Sequence, residues 1–118
     1  MTDRELLELA AKATGLWGRW PGADVPPALR AVAWTLRGKP WYPLADDGDA
    51  LWLAVKLGLS IEVYLKHPDG RNASVDVRGY EFRRSLAVEH AADNGASLQC
   101  AMRRAIVRAA AEIGRAMP

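Results

Sequence analysis

Three carboxylates stand together at Asp46, Asp47 and Asp49, immediately ahead of the helix-forming run Ala50-Leu51-Trp52-Leu53-Ala54-Val55-Lys56-Leu57, and Trp41, Tyr42 and Pro43 lie just upstream. Clustered aspartates can hold a hard divalent cation, cap a helix, or read the polar edges of a base or ribose. An EF-hand loop requires alternating ligands and a glutamate at its twelfth position; counted from Asp46, that position is Leu57. No metal site is therefore expected. Two of the carboxylates suit the free N–H groups and positive dipole of a helix start, which leaves one for a polar contact to a ligand.

Trp41, Tyr42 and Trp52 can stack on nucleobases, at about 1–3 kcal/mol per base, or can bury beneath the irregular segment 15–40. Trp52 fits the Leu51 and Ala54 stripe poorly and is expected to be the most exposed of the three. Far along the chain, Arg103, Arg104 and Arg108 form a basic ridge. Neighbouring guanidiniums can clamp a phosphate through paired hydrogen bonds, although Arg108 and Glu112 at i, i+4 also match an ordinary solvated helix face. The candidate ligand-binding set is thus Trp41, Tyr42, Asp46, Asp47, Asp49, Trp52, Arg103, Arg104 and Arg108.

No catalytic residue is nominated. His67 falls in a turn beside Pro68 and His90 at a strand end, and neither has a Ser, Cys or carboxylate at a spacing that suggests a nucleophile and its base. Cys100 reads as a small apolar residue beside Leu98 and Met102. The glycines form neither a P-loop nor a dinucleotide fingerprint, so no cofactor is expected, and Gly48 reads as local backbone freedom.

These residues need elements to hold them. Thr2 with Glu5 is a capping box, Leu6, Leu9, Ala10 and Ala13 follow at helical spacing, and Gly15 supplies a stop, which predicts a helix over 3–14. Weak alternation over Arg30, Val32, Trp34 and Leu36 favours a strand. The second helix follows the aspartates and ends at Gly58, placed for a left-handed C′ position. The period then changes to two. Ile61, Val63 and Leu65, a turn at 67–72, then Ala73, Val75 and Val77 predict a hairpin with one buried face. Leu86, Val88 and Phe82 suggest a third strand over 83–90, broken by Asp93-Asn94-Gly95. Ser97 opens the longest helix, with its apolar stripe at Leu98, Met102, Ala105, Ile106, Ala109, Ile113 and Met117. Alanines at 101, 105 and 109–111 permit close approach to a sheet.

The expected fold is α+β: one domain over 1–118, an antiparallel sheet with helices on one face and a long C-terminal helix. A chain of 118 residues, half of them hydrophobic, can build one core without metal or disulfide staples. The single cysteine fits a reducing setting. The chain opens Thr2-Asp3-Arg4-Glu5 after Met1 and has no long apolar run, so neither secretion nor membrane insertion is expected. Sixteen basic against fourteen acidic residues give +2, too balanced for non-specific nucleic-acid binding. All five tryptophans precede Gly58, which concentrates aromatic surface in the first half.

The stretches Trp41–Ala50, Leu53–Ile61 and Met102–Gly114 together resemble the NinX-type proteins of tailed phages and prophages, with loose similarity in the first helix and none over 15–40. The resemblance implies a phage accessory protein in the bacterial cytoplasm and carries no activity or catalytic residue. The expected function is binding, to a host protein, a defence component or a nucleotide signal. Two alternatives stay open: a metal-dependent nucleic-acid-processing enzyme or recombination accessory using the carboxylates, and a homo-oligomeric module, such as a homodimer, packed through the alanine-rich last helix.

Overall fold

Thr2 starts the first helix by the mechanism its spacing implies. Its hydroxyl accepts the Glu5 N–H and the Glu5 carboxylate accepts the Thr2 N–H, closing both ends of the capping box. The computed structural model describes residues 1–15, 34–36, 39–65, 73–79 and 85–118. Helix α1 spans Asp3–Thr14 and ends on Gly15 at φ +84°, a conformation that glycine adopts without a Cβ clash. Strands β1 (Trp34–Leu36) and β2 (Lys39–Trp41) pair antiparallel with Trp34 opposite Trp41. The expected strand is thus present at 34–36, and its earlier part, 30–33, lies outside the described residues.

Helix α2 spans Asp47–Leu57 and so begins three residues earlier than expected, because the Asp46 side chain caps the Asp49 N–H and draws Asp47 and Asp49 into the first turn; Gly58 at φ +64° is the left-handed stop. A three-stranded antiparallel sheet follows in the order β3 (Ser60–Tyr64), β4 (Ser74–Arg78), β5 (Ser85–His90). The turn at 67–72 with His67, and Phe82 with Arg83, lie outside the described residues. A short 3-10 turn, Ala91–Asn94, and Gly95 occupy the expected break, and α3 runs Leu98–Ala116 with the Ser97 hydroxyl accepting the Cys100 N–H. The architecture is the α+β one the sequence implies, with an antiparallel sheet, helices and a long C-terminal helix.

The register fixes which side chains meet the helices. Val63 pairs with Val75 and Ile61 with Val77, but the expected single buried face holds only on β4: Val75 and Val77 are fully buried and Asp76 is buried with them, whereas Val63 is 46 % and Leu65 57 % exposed, because β3 is the edge strand and α3 packs over β4 and β5. On the other side of β4, Val75 faces Glu89 and Val77 faces Ala87, so a glutamate shares the buried face. Val88, one of the apolar markers of this strand in the sequence, is 42 % exposed. Between Val77 and Arg78 the ladder slips, because Arg78 pairs with Ser85 and leaves Leu86 as the extra residue of a bulge.

Helix α3 touches α1, α2, β4 and β5 and is the centre of the helical layer. This corrects the single-stripe expectation for α3. Ala101, Ala105, Ile106, Val107, Ala109, Ala110, Ala111 and Gly114 are all buried, whereas Leu98, Met102 and Ile113 are half-buried and Met117 is 40 % exposed. Covered on several sides, the helix buries more than one stripe, and its small residues set how closely the neighbours approach. The tightest point is Gly114, where a Cβ would fall 2.0 Å from the Leu9 carbonyl oxygen. The alanines therefore serve packing inside the chain, against α1 as well as the sheet. Leu7, Leu53 and Ile106 close the core, each contributing about 1.5–3 kcal/mol by burial. Among the described residues, no helix is long and apolar enough to cross a membrane.

Candidate functional site

The three aspartates are each held by the fold in a different way. Asp46 Oδ1 accepts the Asp49 N–H at 2.9 Å, which satisfies one free donor of the α2 start. Asp49 Oδ2 reaches back to the Tyr42 N–H at 2.8 Å and fastens the segment leading into the helix. Burial pushes the Asp49 carboxyl above the ordinary aspartate value, against the lowering effect of the Tyr42 hydrogen bond, and the Asp46 charge adds to the rise. Asp47 pairs with Arg103 Nη1 at 2.5 Å. Among the described residues, no three His, Cys, Asp or Glu side chains are grouped to hold a metal ion.

Trp41 is fully buried in the core, which corrects its placement in a stacking surface. Its ring meets Trp52 edge to face, with centroids 6.2 Å apart and planes at 81°, a contact worth about 0.5–1.5 kcal/mol beyond burial. Trp52 is itself half-buried against the core, and on α2 it is Leu51 and Val55 that lie open, at 61 % and 72 %. The helix is therefore rotated relative to the expectation: Ala50, Leu53 and Ala54 face inward, and the Leu51 side faces out. Trp41 Nε1 is buried without an acceptor among the described residues. Tyr42 is half-buried, and its carbonyl accepts the Ala45 and Asp46 N–H groups.

The arginine ridge divides in two. Arg103 turns toward α2: besides Asp47, its Nε donates to the Leu44 carbonyl at 3.0 Å and its Nη2 lies 3.0 Å from Cys100 Sγ. The Asp47 hydrogen bond raises the Arg103 pKa further above its ordinary value, against partial burial. Arg104 and Arg108, one turn apart, face β5 and share Glu89. Arg108 Nη1 donates to Glu89 Oε1 and to the Val88 carbonyl, both at 3.0 Å. Arg104 Nε stands 3.5 Å from the same carboxylate oxygen, and its Nη1 donates to Asp3 at 3.1 Å.

Glu89 has a side chain only 12 % exposed and holds the two guanidiniums beside each other. They border a half-open cleft of about 380 Å³ between α1, β5 and α3, lined by Met1, Leu6, Leu86, Glu89, Arg104, Arg108 and Glu112. Glu112 is itself paired with Arg115 at 2.6 Å. Neither Arg104 Nη2 nor Arg108 Nη2 has a partner among the described residues, so each retains donors for an incoming acceptor.

Of the nine candidates, the fold brings Asp47 to Arg103 and Arg104 to Arg108, uses Asp46 and Asp49 at the α2 start, buries Trp41 in the core and leaves Tyr42 and Trp52 half-buried against it. In the sequence Leu6 and Leu86 stand out only as apolar markers of α1 and β5, and Glu89 and Met1 do not stand out as site residues. Glu89 had one signal: it is an acidic residue two positions from Ala87 in a strand whose partner presents Val75 and Val77. Comparison with protein-family models, curated proteins and solved structures gives no match.

Proposed function

We propose that this chain is a phage or prophage accessory protein that works in the bacterial cytoplasm by binding rather than by catalysis, and that its ligand carries an anionic group. The observation that supports this reading is the cleft in which Arg104 and Arg108 stand side by side on Glu89 with donors unspent, next to the apolar side chains of Leu6, Leu86 and Met1. Small-ligand pockets commonly combine an apolar lining with a few fixed polar groups, at volumes of about 300–1,000 Å³. A pair of guanidiniums fixed by a buried carboxylate binds an anion with little further ordering of the side chains.

A nucleotide signal fits this reading only through its phosphate, because the Trp41 ring is withdrawn into the core. Native mass spectrometry of protein purified from a bacterial host tests the proposal. Wild-type chain should retain a small-molecule mass that the Arg104→Gln, Arg108→Gln double variant loses. A bare wild-type chain, with no probe anion bound on titration, would sink it.

A second reading takes a bacterial host protein or defence component as the target. It is favoured by the exposed Leu51 and Val55, which lie one turn apart on α2. Affinity capture from host lysate with wild-type protein and with a Leu51→Asp, Val55→Asp variant separates the two readings, since the cleft lies on other elements.

A further inference from the structure

The three-stranded sheet has two edges, and the fold treats them differently. Along β5, α3 packs over the strand, Arg108 donates to the Val88 carbonyl and Asn94 Nδ2 donates to the His90 carbonyl. Along β3, the backbone of Ser60–Tyr64 bonds only to β4 among the described residues, and Val63, Tyr64 and Leu65 are exposed. An open edge with apolar side chains is a template for another strand. We propose that this edge pairs with β3 of a second copy of the chain, antiparallel about a two-fold axis at Val63, joining two three-stranded sheets into one of six strands.

The order of residues along β3 selects this occupant and this register. Pairing about Val63 sets Val63 against its own copy and Ile61 against Leu65. The row of apolar side chains that β3 shares with Val75 and Val77 then continues across the axis. On the opposite face the same register sets Glu62 against Tyr64. These two side chains already meet within the chain, where the Tyr64 hydroxyl donates to the Glu62 carboxylate, and the axis brings the same donor and acceptor face to face again.

Two residues is the smallest slide that keeps both faces in place. In one direction it sets Glu62 against Glu62, a like-charge pair; in the other it sets Tyr64 against itself and removes Ile61 from the apolar row. A two-fold contact must be self-complementary, and about Val63 the single charged residue of the stretch 60–65 never meets its own copy. The cleft lies on α1, β5 and α3 and takes no part in this pairing.

The test is sedimentation equilibrium of the full chain, with a cysteine scan in a Cys100→Ser background. Wild type should pass from the monomer mass of 12.9 kDa toward twice that value as concentration rises through the micromolar range. Val63→Lys should weaken self-association by about tenfold or more, because it opposes two like charges on the axis. Val88→Lys, at a similarly exposed position on β5, should leave it unchanged.

Under mild oxidation Val63→Cys should give a disulfide-linked dimer, since opposing Cα atoms at the axis lie about 4.5–5.5 Å apart. Glu62→Cys and Tyr64→Cys should not, because each is displaced from its own copy by two residues along the strand, roughly 7 Å. A chain that stays monomeric throughout would overturn the proposal, as would a dimer indifferent to Val63→Lys or one cross-linked at position 62 or 64 and not at 63.

Discussion

Arg103 and Arg104 are adjacent on one helix, carry the same side chain, and do different work. Arg103 is 14 % exposed and spends its donors on Asp47, the Leu44 carbonyl and Cys100, so it locks the α2 start onto α3. Arg104, at 35 % exposed, and Arg108, at 42 %, lean on Glu89 and Asp3 from the other side of the helix and keep donors facing a cleft. One residue's step along α3 rotates a side chain by about 100°, enough to move it from one neighbouring element to another. Whether an arginine is structural or available depends here on how many acceptors the neighbouring element supplies.

The strongest way to break this contrast is to disturb the spacing on which the cleft alone depends. Gly114→Ala would set a Cβ against the Leu9 carbonyl and force α1 away from α3. A loss of about 3 kcal/mol or more is expected by urea denaturation, with the cleft opened and the Arg103 clamp intact. Stability unchanged within error would mean that α1 does not sit so close.

Arg103→Ala should come next. It leaves the Leu44 carbonyl and Asp47 without their charged partner, for a loss of about 1–3 kcal/mol with anion binding retained. Arg103→Lys should recover little of it, since an ammonium cannot span the same acceptors. A variant that kept its stability and lost ligand would reverse the assignment of the two arginines.

Arg108→Gln sharpens the contrast from the other side. The Arg108 guanidinium is 42 % exposed and Glu89, although buried, still has Arg104, so the stability change should stay within about 1–2 kcal/mol while binding is lost. Circular-dichroism melts run beside titration calorimetry check both halves.

The smallest effect concerns pH. Asp49 has its carboxyl raised in the fold, mainly by burial, so the native state holds more protons than the unfolded chain between the ordinary value of 3.8 and the raised one. Its contribution to stability is therefore full below about pH 3.8 and is lost as pH rises through the folded value. Asp49→Asn keeps an acceptor for the Tyr42 N–H and should flatten this part of the profile in urea midpoints measured from about pH 3 to pH 6. An unchanged slope would remove Asp49 as its source.

Local rules were legible where the chain interacts with itself over a few residues. The Thr2 and Glu5 box, the Gly15 and Gly58 stops and the Ser97 cap are contacts between residues close in sequence, and the helices begin and end where these residues direct. The period-two runs gave β3 and β4 for the same reason. The site was less legible. Asp46 could be read as a cap, but nothing local distinguishes Asp47, whose partner lies 56 residues away, from Asp49, whose partner is Tyr42. Trp52 reads as off the apolar stripe only if Leu51 is assumed to point inward, and the Trp41 ring packs where that assumption fails.

The sequence alone determined the extent of α1, the glycine stops of α1 and α2, the start of α3 and the balance of charge, because these follow from backbone hydrogen bonding, capping and composition. Tertiary structure decided which arginine is spent and which is open, that the alanines of α3 serve packing within the chain, and that Glu89 joins the buried face of the sheet. Those outcomes depend on the rotation of α2 and α3 and on the β4–β5 register, which are set by close packing among residues far apart in the chain.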